Sequence, residues 1–270
     1  MSGYNENMDE LPLLTVTALR PYGVTIRLTT RTGGVSAGGY HALNLADHVG
    51  DDTAAVAENR ARLRATLGSD PLWLKQVHGT TIWDADAADP SGHAPPQADG
   101  ATTARAGRWL ALLTADCLPV VLVRSDGARL AVAHAGWRGL AAGILARAVA
   151  ALGDAPFAAW IGPAICGQCY EVDAPVVEAL RALGPWVAQA VRNGRRAGHY
   201  TVDLGAIAAE QLLVQPGRAD GAHLLLKGQR RAHLDSDVAQ AAGIMLPALL
   251  GQVGRDPPDA LGQPLDDAVP

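Results

Sequence analysis

The segment LALLTADCLPVVLV, residues 110–123, limits what the chain can fold into. It begins and ends like a buried strand, yet Thr114, Asp116 and Cys117 sit between its apolar halves. Aspartate is rarely buried without a partner, and an unpaired carboxylate in apolar surroundings is costly. The fold must therefore interrupt the strand here or give the acid a partner.

The pattern on either side is mixed. VTIRLTT (24–30) alternates as a strand does, and ARLAVAHAG (128–136) and FAAWIGPAI (157–165) read as buried strands, the last ended by Pro163. LWLKQVHG (72–79) reads as a short strand that delivers His78 at its end. Helices are expected at 53–68, capped by Thr53 and stopped by Gly68, at 138–153 and 174–184, and within 201–213 after Asp203. Residues 31–52 form a long glycine-rich loop, and 84–100 a polar loop expected to be the most mobile. Strands mixed with helices predict an α/β fold. We expect a single domain over 13–213, preceded by a frayed leader. An atypical tail, 214–270, contains none of the 12 aromatic residues and is expected to be a surface helix with partial disorder.

Composition closes several function classes. Of 270 residues, 49% are hydrophobic and 18% charged, enough apolar material for a sizeable core. The net charge of −5 gives no basic footprint for nucleic acid. No apolar run approaches the roughly 18 residues of a membrane-spanning helix. The first residues are acidic where a signal peptide would be basic. Three cysteines make no disulfide framework, so we expect reduced thiols in a cytoplasmic protein.

The chemistry-bearing residues cluster near predicted strand ends. His78, Cys117 and His134 are candidate metal ligands, and two imidazoles with one thiolate suit zinc or copper rather than magnesium or calcium. A three-ligand zinc site leaves a fourth position for a water of lowered pKa. Their gaps match no compact metal motif, and packing of His134 and Cys117 is the plainer reading of spacing alone. A metal-free reading makes Cys117 a nucleophile, a histidine its base and Asp116 the orienting acid. Arg31 and the glycines of G-G-V-S-A-G-G would let backbone approach an anion, although neither a P-loop nor a dinucleotide fingerprint is present. Arg138, at the start of a predicted helix, is a second candidate anion contact. Cys166 and Cys169 form one C-x-x-C, a candidate redox pair or half of a zinc knuckle. No second C-x-x-C is present, and simple packing accounts for them.

Seven stretches in order complete the picture: RTGGVSAGGYHALNLADHVGDD, ENR, LKQVHG, ADGATT, LALLTADCLPVVL, AVAHAGWRGLAAGI and WIGPAICGQCYEV. Together they resemble the YfiH-like family, whose members have been called polyphenol oxidases or multicopper laccases, purine nucleoside phosphorylases and peptidoglycan editing factors. The resemblance spans residues 24–210. It implies a single α/β domain of layered mixed sheets flanked by helices, a cytotoxic necrotizing factor-like sandwich. It implies a zinc site on His78, Cys117 and His134. On our own reading, Cys117, Asp116 and His134 are then the catalytic residues, Asp116 as a proton-handling carboxylate beside the metal. It also implies phosphorolysis of adenosine, inosine, guanosine and methylthioadenosine, plus adenosine deamination. Purine nucleoside and phosphate are then the partners. Arg31, Ser36, Asn44, Gln76 and Arg138 are the expected contacts to them, the arginines on our reading of charge and loop position.

The laccase name fits poorly. A full multicopper cluster needs more histidines than the eight here, and no H-x-H pair is present, although a single His₂Cys site could accept copper. The tail also departs from the family, which usually closes on a Cys-Thr element, an aromatic–Ser–x–Arg-Arg segment and a final Gly-Arg. Here LLLKGQRRAHLDSDVAQAAGIM offers no equivalent, which predicts a core lacking its closing strand. Two other functions stay open: a cysteine hydrolase or peptidoglycan-editing factor using Cys117, and a binding protein with a remnant pocket.

Overall fold

The computed structural model describes residues 11–87 and 94–215, and the backbone of two further strands at 224–225 and 242–247. The strands are β1 (Leu14–Val16), β2 (Ile26–Leu28), β3 (Ile82–Asp84), β4 (Gly100–Thr103), β5 (Trp109–Thr114), β6 (Leu118–Arg124) and β7 (Leu130–Ala135). They continue with β8 (Phe157–Ile161), β9 (Glu171–Asp173), β10 (Val191–Asn193), β11 (His199–Val202), β12 (Leu224–Leu225) and β13 (Ala242–Pro247). The helices are α1 (Thr53–Leu67), α2 (Trp137–Ala141), α3 (Ile144–Leu152), α4 (Ala174–Arg181) and α5 (Leu204–Leu213).

Two sheets and a helical layer stack on one another. The central sheet runs β12-β8-β6-β7-β4-β3, the second β1-β2-β13-β5, and a small third sheet β10-β11-β9. Strand alternation assigns the two faces of the central sheet. Val121, Val123, Leu130, Val132, Ala158 and Trp160 pack with β2 and β5 residues against the second sheet. Val120, Leu122, Ala131, Ala133, Phe157 and Ile161 pack against α3, α4 and α5. β6 and β7 are covered on both faces, which is why their sequences are nearly continuous apolar runs. α1 covers the outer side of the second sheet through Leu63, beside Leu11, Leu43 and Leu45.

The polar interruption at 115–117 is the crossing between layers. β5 belongs to the second sheet and β6 to the central one, so the 110–123 stretch is two strands in different sheets. Other expectations shift in detail. Residues 72–79 form no strand but are held by isolated bridges, Leu72 to Leu110 and Lys75 to Gln97. The helix expected at 138–153 is two, broken at Gly143, whose φ of +87° a glycine adopts without strain. α1 is capped by Asp52, whose carboxylate accepts from Ala55 N, rather than by Thr53.

The tail contributes more than the sequence suggested. β13 lies between β2 and β5, antiparallel to both, and β12 pairs in parallel with β8. Backbone of the tail therefore fills an interior place in the second sheet, where the sequence predicted a missing strand. The rest of the expected tail structure, the leader at 1–10 and the segment 88–93 of the polar loop lie outside the described residues.

Candidate metal centre

Three elements deliver three donors to one point. His134 is buried near the end of β7, Cys117 starts the return into β6 from the layer crossing, and His78 ends the bridged segment 72–79. Their ligand atoms all lie within 4.8 Å of one another. The His78 and His134 rings meet edge to face, centroids 4.9 Å apart. Gly136 makes room for them: a Cβ there would lie 2.7 Å from Cys117 Sγ and 3.2 Å from His78 Cδ2. Among the described residues this is the one convergence of three or more such donors.

A residue that the sequence reading did not single out organises the group. Asp99 is fully buried just before β4, and its carboxylate accepts the backbone N–H groups of Val77 (3.1 Å), His78 (2.8 Å) and Gly79 (2.7 Å). His78 needs that grip, because its φ of +60° is unfavourable for a residue with a Cβ. The same carboxylate meets His134 Nδ1 at 3.0 Å. That contact orients the ring and leaves Nε2 for a ligand. Burial raises the Asp99 pKa, but the His134 ring and the three N–H donors outweigh it and hold the carboxyl below its usual range. For His134, burial disfavours the charged ring, yet Asp99 and Cys117 win and push its pKa up to about 9 in the metal-free chain. Burial and the charges of His134 and Arg138 lower that of His78, against Asp99. The signal for Asp99 was an acid opening a buried strand in QADGATT.

The donors open onto a cavity of about 480 Å³. Its wall includes Arg31, Asn44, Gln76, Asp116 and the three ligands, with Tyr40, Leu43 and Val49 from the glycine-rich loop. Gln76 pins its segment to β5: its Nε2 donates to Leu113 O and its Oε1 accepts from Leu113 N, both at 2.8 Å. Arg31 donates from Nε and Nη2 to His41 O, at 2.9 and 2.7 Å.

Other predicted residues stand differently. Ser36 is buried and does not line the cavity; its hydroxyl donates to Asp51 at 2.6 Å and accepts from Asn59 at 2.9 Å. Asn44 donates to the same Asp51 carboxylate at 2.9 Å. Arg138 lies outside the cavity wall, with its guanidinium 4.5 Å above the Trp137 ring. Asp116 is exposed at the layer crossing, where the strand is interrupted, and it faces the cavity. Nor are all thiols reduced: Cys166 and Cys169 are joined as a disulfide, and Cys117 is free. Two imidazoles and a thiol on one floor, with the buried ring fixed by a carboxylate, form a donor set that fits zinc and leaves a side open to the cavity.

Comparison with known proteins gives the family. Residues 25–217 match the family described as multi-copper polyphenol oxidoreductase laccase. A purine nucleoside phosphorylase of Xylella fastidiosa is 45% identical over 205 residues, covering 72% of this chain and 78% of that protein. The purine nucleoside phosphorylase YfiH of Escherichia coli is 40% identical over 198 residues, covering 72% and 79%. Among solved structures, Neisseria meningitidis protein NMB0706 matches with a TM-score of 0.72 and 33% identity, over 87% of this chain and 98% of that one. YlmD from Geobacillus stearothermophilus matches with a TM-score of 0.72 and 31% identity, over 84% and 93%.

Proposed function

The chain belongs to the multi-copper polyphenol oxidoreductase laccase family, the family of YfiH, and on that premise we propose that it is a zinc-dependent purine nucleoside phosphorylase. The carrying observation is the convergence of His78, Cys117 and His134 on the floor of a cavity large enough for a nucleoside and phosphate. The names of the relatives at 40–45% identity supply the substrate class. Adenosine, inosine, guanosine and methylthioadenosine are the proposed substrates, adenosine deamination a second activity, and the cytoplasm the proposed location. Among the described residues, no helix is long and apolar enough to cross a membrane.

In phosphorolysis a phosphate oxygen bonds to ribose C1′, the C1′–N9 bond breaks, and the base leaves with the electron pair and takes up a proton. Zinc, when bound, supplies Lewis acidity in a partly desolvated pocket. Asp99 fixes the His134 ring and the His78 backbone, so two of the three donors are in place before metal arrives. Asp116, exposed on the wall, holds or moves a proton on the substrate side. Arg31 lines the wall as the proposed phosphate contact, its guanidinium set by His41 O. Tyr40 and Leu43 give the purine ring an aromatic and apolar wall.

One observation favours a second reading. Asp99, His134 and Cys117 also form the acid–base–thiol line of a cysteine hydrolase, with Asp99 in the orienting place given to Asp116 from sequence. That line does not need His78, which converges all the same. Metal analysis separates the two. One zinc per chain, lost together with nucleoside turnover in Cys117→Ala and His78→Ala, is the expected result. Activity in a metal-free preparation that thiol alkylation abolishes would replace the zinc reading with the hydrolase.

A further inference from the structure

The loop that follows β8 carries a feature that the nucleoside reading leaves unused. Cys166 and Cys169 are both exposed and joined to each other. A bridge between residues three apart restrains little of the unfolded chain, so its worth as a staple is small. Exposed C-x-x-C pairs are instead well placed for thiol–disulfide exchange.

This loop is the neighbour of the ligand-bearing turn. The β6–β8 ladder ends at the Val120–Ile161 pair, but the contact continues. Gly162 N donates to Pro119 O at 2.8 Å, and Ile165 N donates to Asp116 O at 3.1 Å. Asp116 is the residue before Cys117, and Ile165 the residue before Cys166. Gly162 permits this approach, since a Cβ there would lie 2.7 Å from Pro119 Cγ. Beyond the bridge, the N–H groups of Cys169 and Tyr170 return to Cys166 O at 2.8 and 3.0 Å, closing a tight turn. Gly167 at its tip presses on Asp203, the residue that caps α5.

We propose that Cys166 and Cys169 are a redox modification site whose disulfide clasps the Ile165 segment against the Asp116–Cys117 turn, so that reduction loosens Cys117 and the metal it holds. A small-molecule or protein dithiol supplies two electrons and two protons: the Cys166–Cys169 bond breaks to two thiols and the donor closes its own disulfide. The loop then keeps its sequence but loses the covalent closure that shapes its first turn. Cys166 and Cys169 act as positioning residues, through Ile165 and Asp116. The metal part of this inference rests on the zinc reading above; the thiol part does not.

The test uses the full chain, oxidised and after treatment with a phosphine reductant that is then removed under nitrogen. Two readouts are taken: the rate of zinc loss to a chromogenic chelator, and the rate of Cys117 alkylation by iodoacetamide in metal-free chain, followed by peptide mapping. Both are expected to rise about three- to tenfold on reduction, the size that one lost backbone hydrogen bond predicts. The Cys166→Ser/Cys169→Ser double variant should match the reduced chain and ignore reductant. Equal rates in oxidised and reduced chain overturn the clasp, as does a double variant that matches the oxidised chain. A chain that never takes up zinc sinks the function proposed above, while the alkylation arm still decides the clasp. Circular dichroism of the variant separates a local change from loss of the fold.

Discussion

At the scale of single residues, the site depends on groups that never touch a substrate. Asp99 serves four partners with one carboxylate: three backbone N–H groups and the His134 ring. Asp99→Asn keeps the shape but turns one oxygen into a donor facing N–H groups. Metal affinity is expected to fall about 10–100-fold, the usual cost of losing a ligand's outer partner; competition with a chelator measures it, and unchanged affinity would remove Asp99 from the site. Gly136→Ala puts a methyl 2.7 Å from Cys117 Sγ, so zinc stoichiometry should drop while circular dichroism stays native. The two histidines and the thiol were legible because their residue types are scarce and stand near predicted strand ends. Asp99 was not, since an aspartate beside a glycine reads equally well as a turn. The interruption at Asp116 was legible but its form was not: an apolar stretch on both sides does not reveal that the chain changes sheets there.

At the scale of elements, the glycine-rich loop is a wall built on α1. Asn59, fully buried on that helix, donates to Ser36 Oγ, Ala42 O and Asn44 O and accepts from Val35 N. Asn59→Ala strands several buried polar groups at once and should cost about 2–4 kcal/mol, read by denaturant unfolding. The loop was legible as a loop, but its order was not, because that order comes from Asn59, 15 to 24 residues along the chain from the groups it binds. Asp86 makes a comparable tie at the far end of β3 and β4. It accepts from Thr103 Oγ1 and Ala104 N at 2.6 Å each, and faces Arg105 and Arg108. Burial raises its pKa, but those hydrogen bonds and the arginines hold it below the usual value. A depressed carboxyl stabilises the fold above its unfolded pKa of about 4 and loses that contribution as pH falls through its lower folded value. Asp86→Asn should therefore be about 1–3 kcal/mol less stable at pH 7 and show a flatter loss of stability below pH 4. An unchanged acid limb would count against the tie.

At the scale of the whole molecule, the site sits where the two large sheets exchange the chain. β5 and β6 lie in different layers, and the crossing puts Asp116 and Cys117 at the cavity beside the end of β7. The sequence pattern identified strands, helices and their mixture, because burial on both faces writes a continuous apolar run. It could not assign strands to sheets, since pairing partners lie far apart along the chain. β13 is the sharpest case: nothing in AGIMLP marks it as the strand between β2 and β5. Ending the chain after Gln215 should lower the thermal midpoint and promote aggregation through the exposed edges of β2 and β5; an unaltered midpoint would place β13 outside the cooperative fold. The most direct test of the central claim is product analysis of the zinc-loaded full chain with adenosine, with and without phosphate. Adenine and ribose 1-phosphate formed only when phosphate is present, and lost in Cys117→Ala, are the expected outcome. No release of nucleobase under either condition, despite stoichiometric zinc, would contradict it.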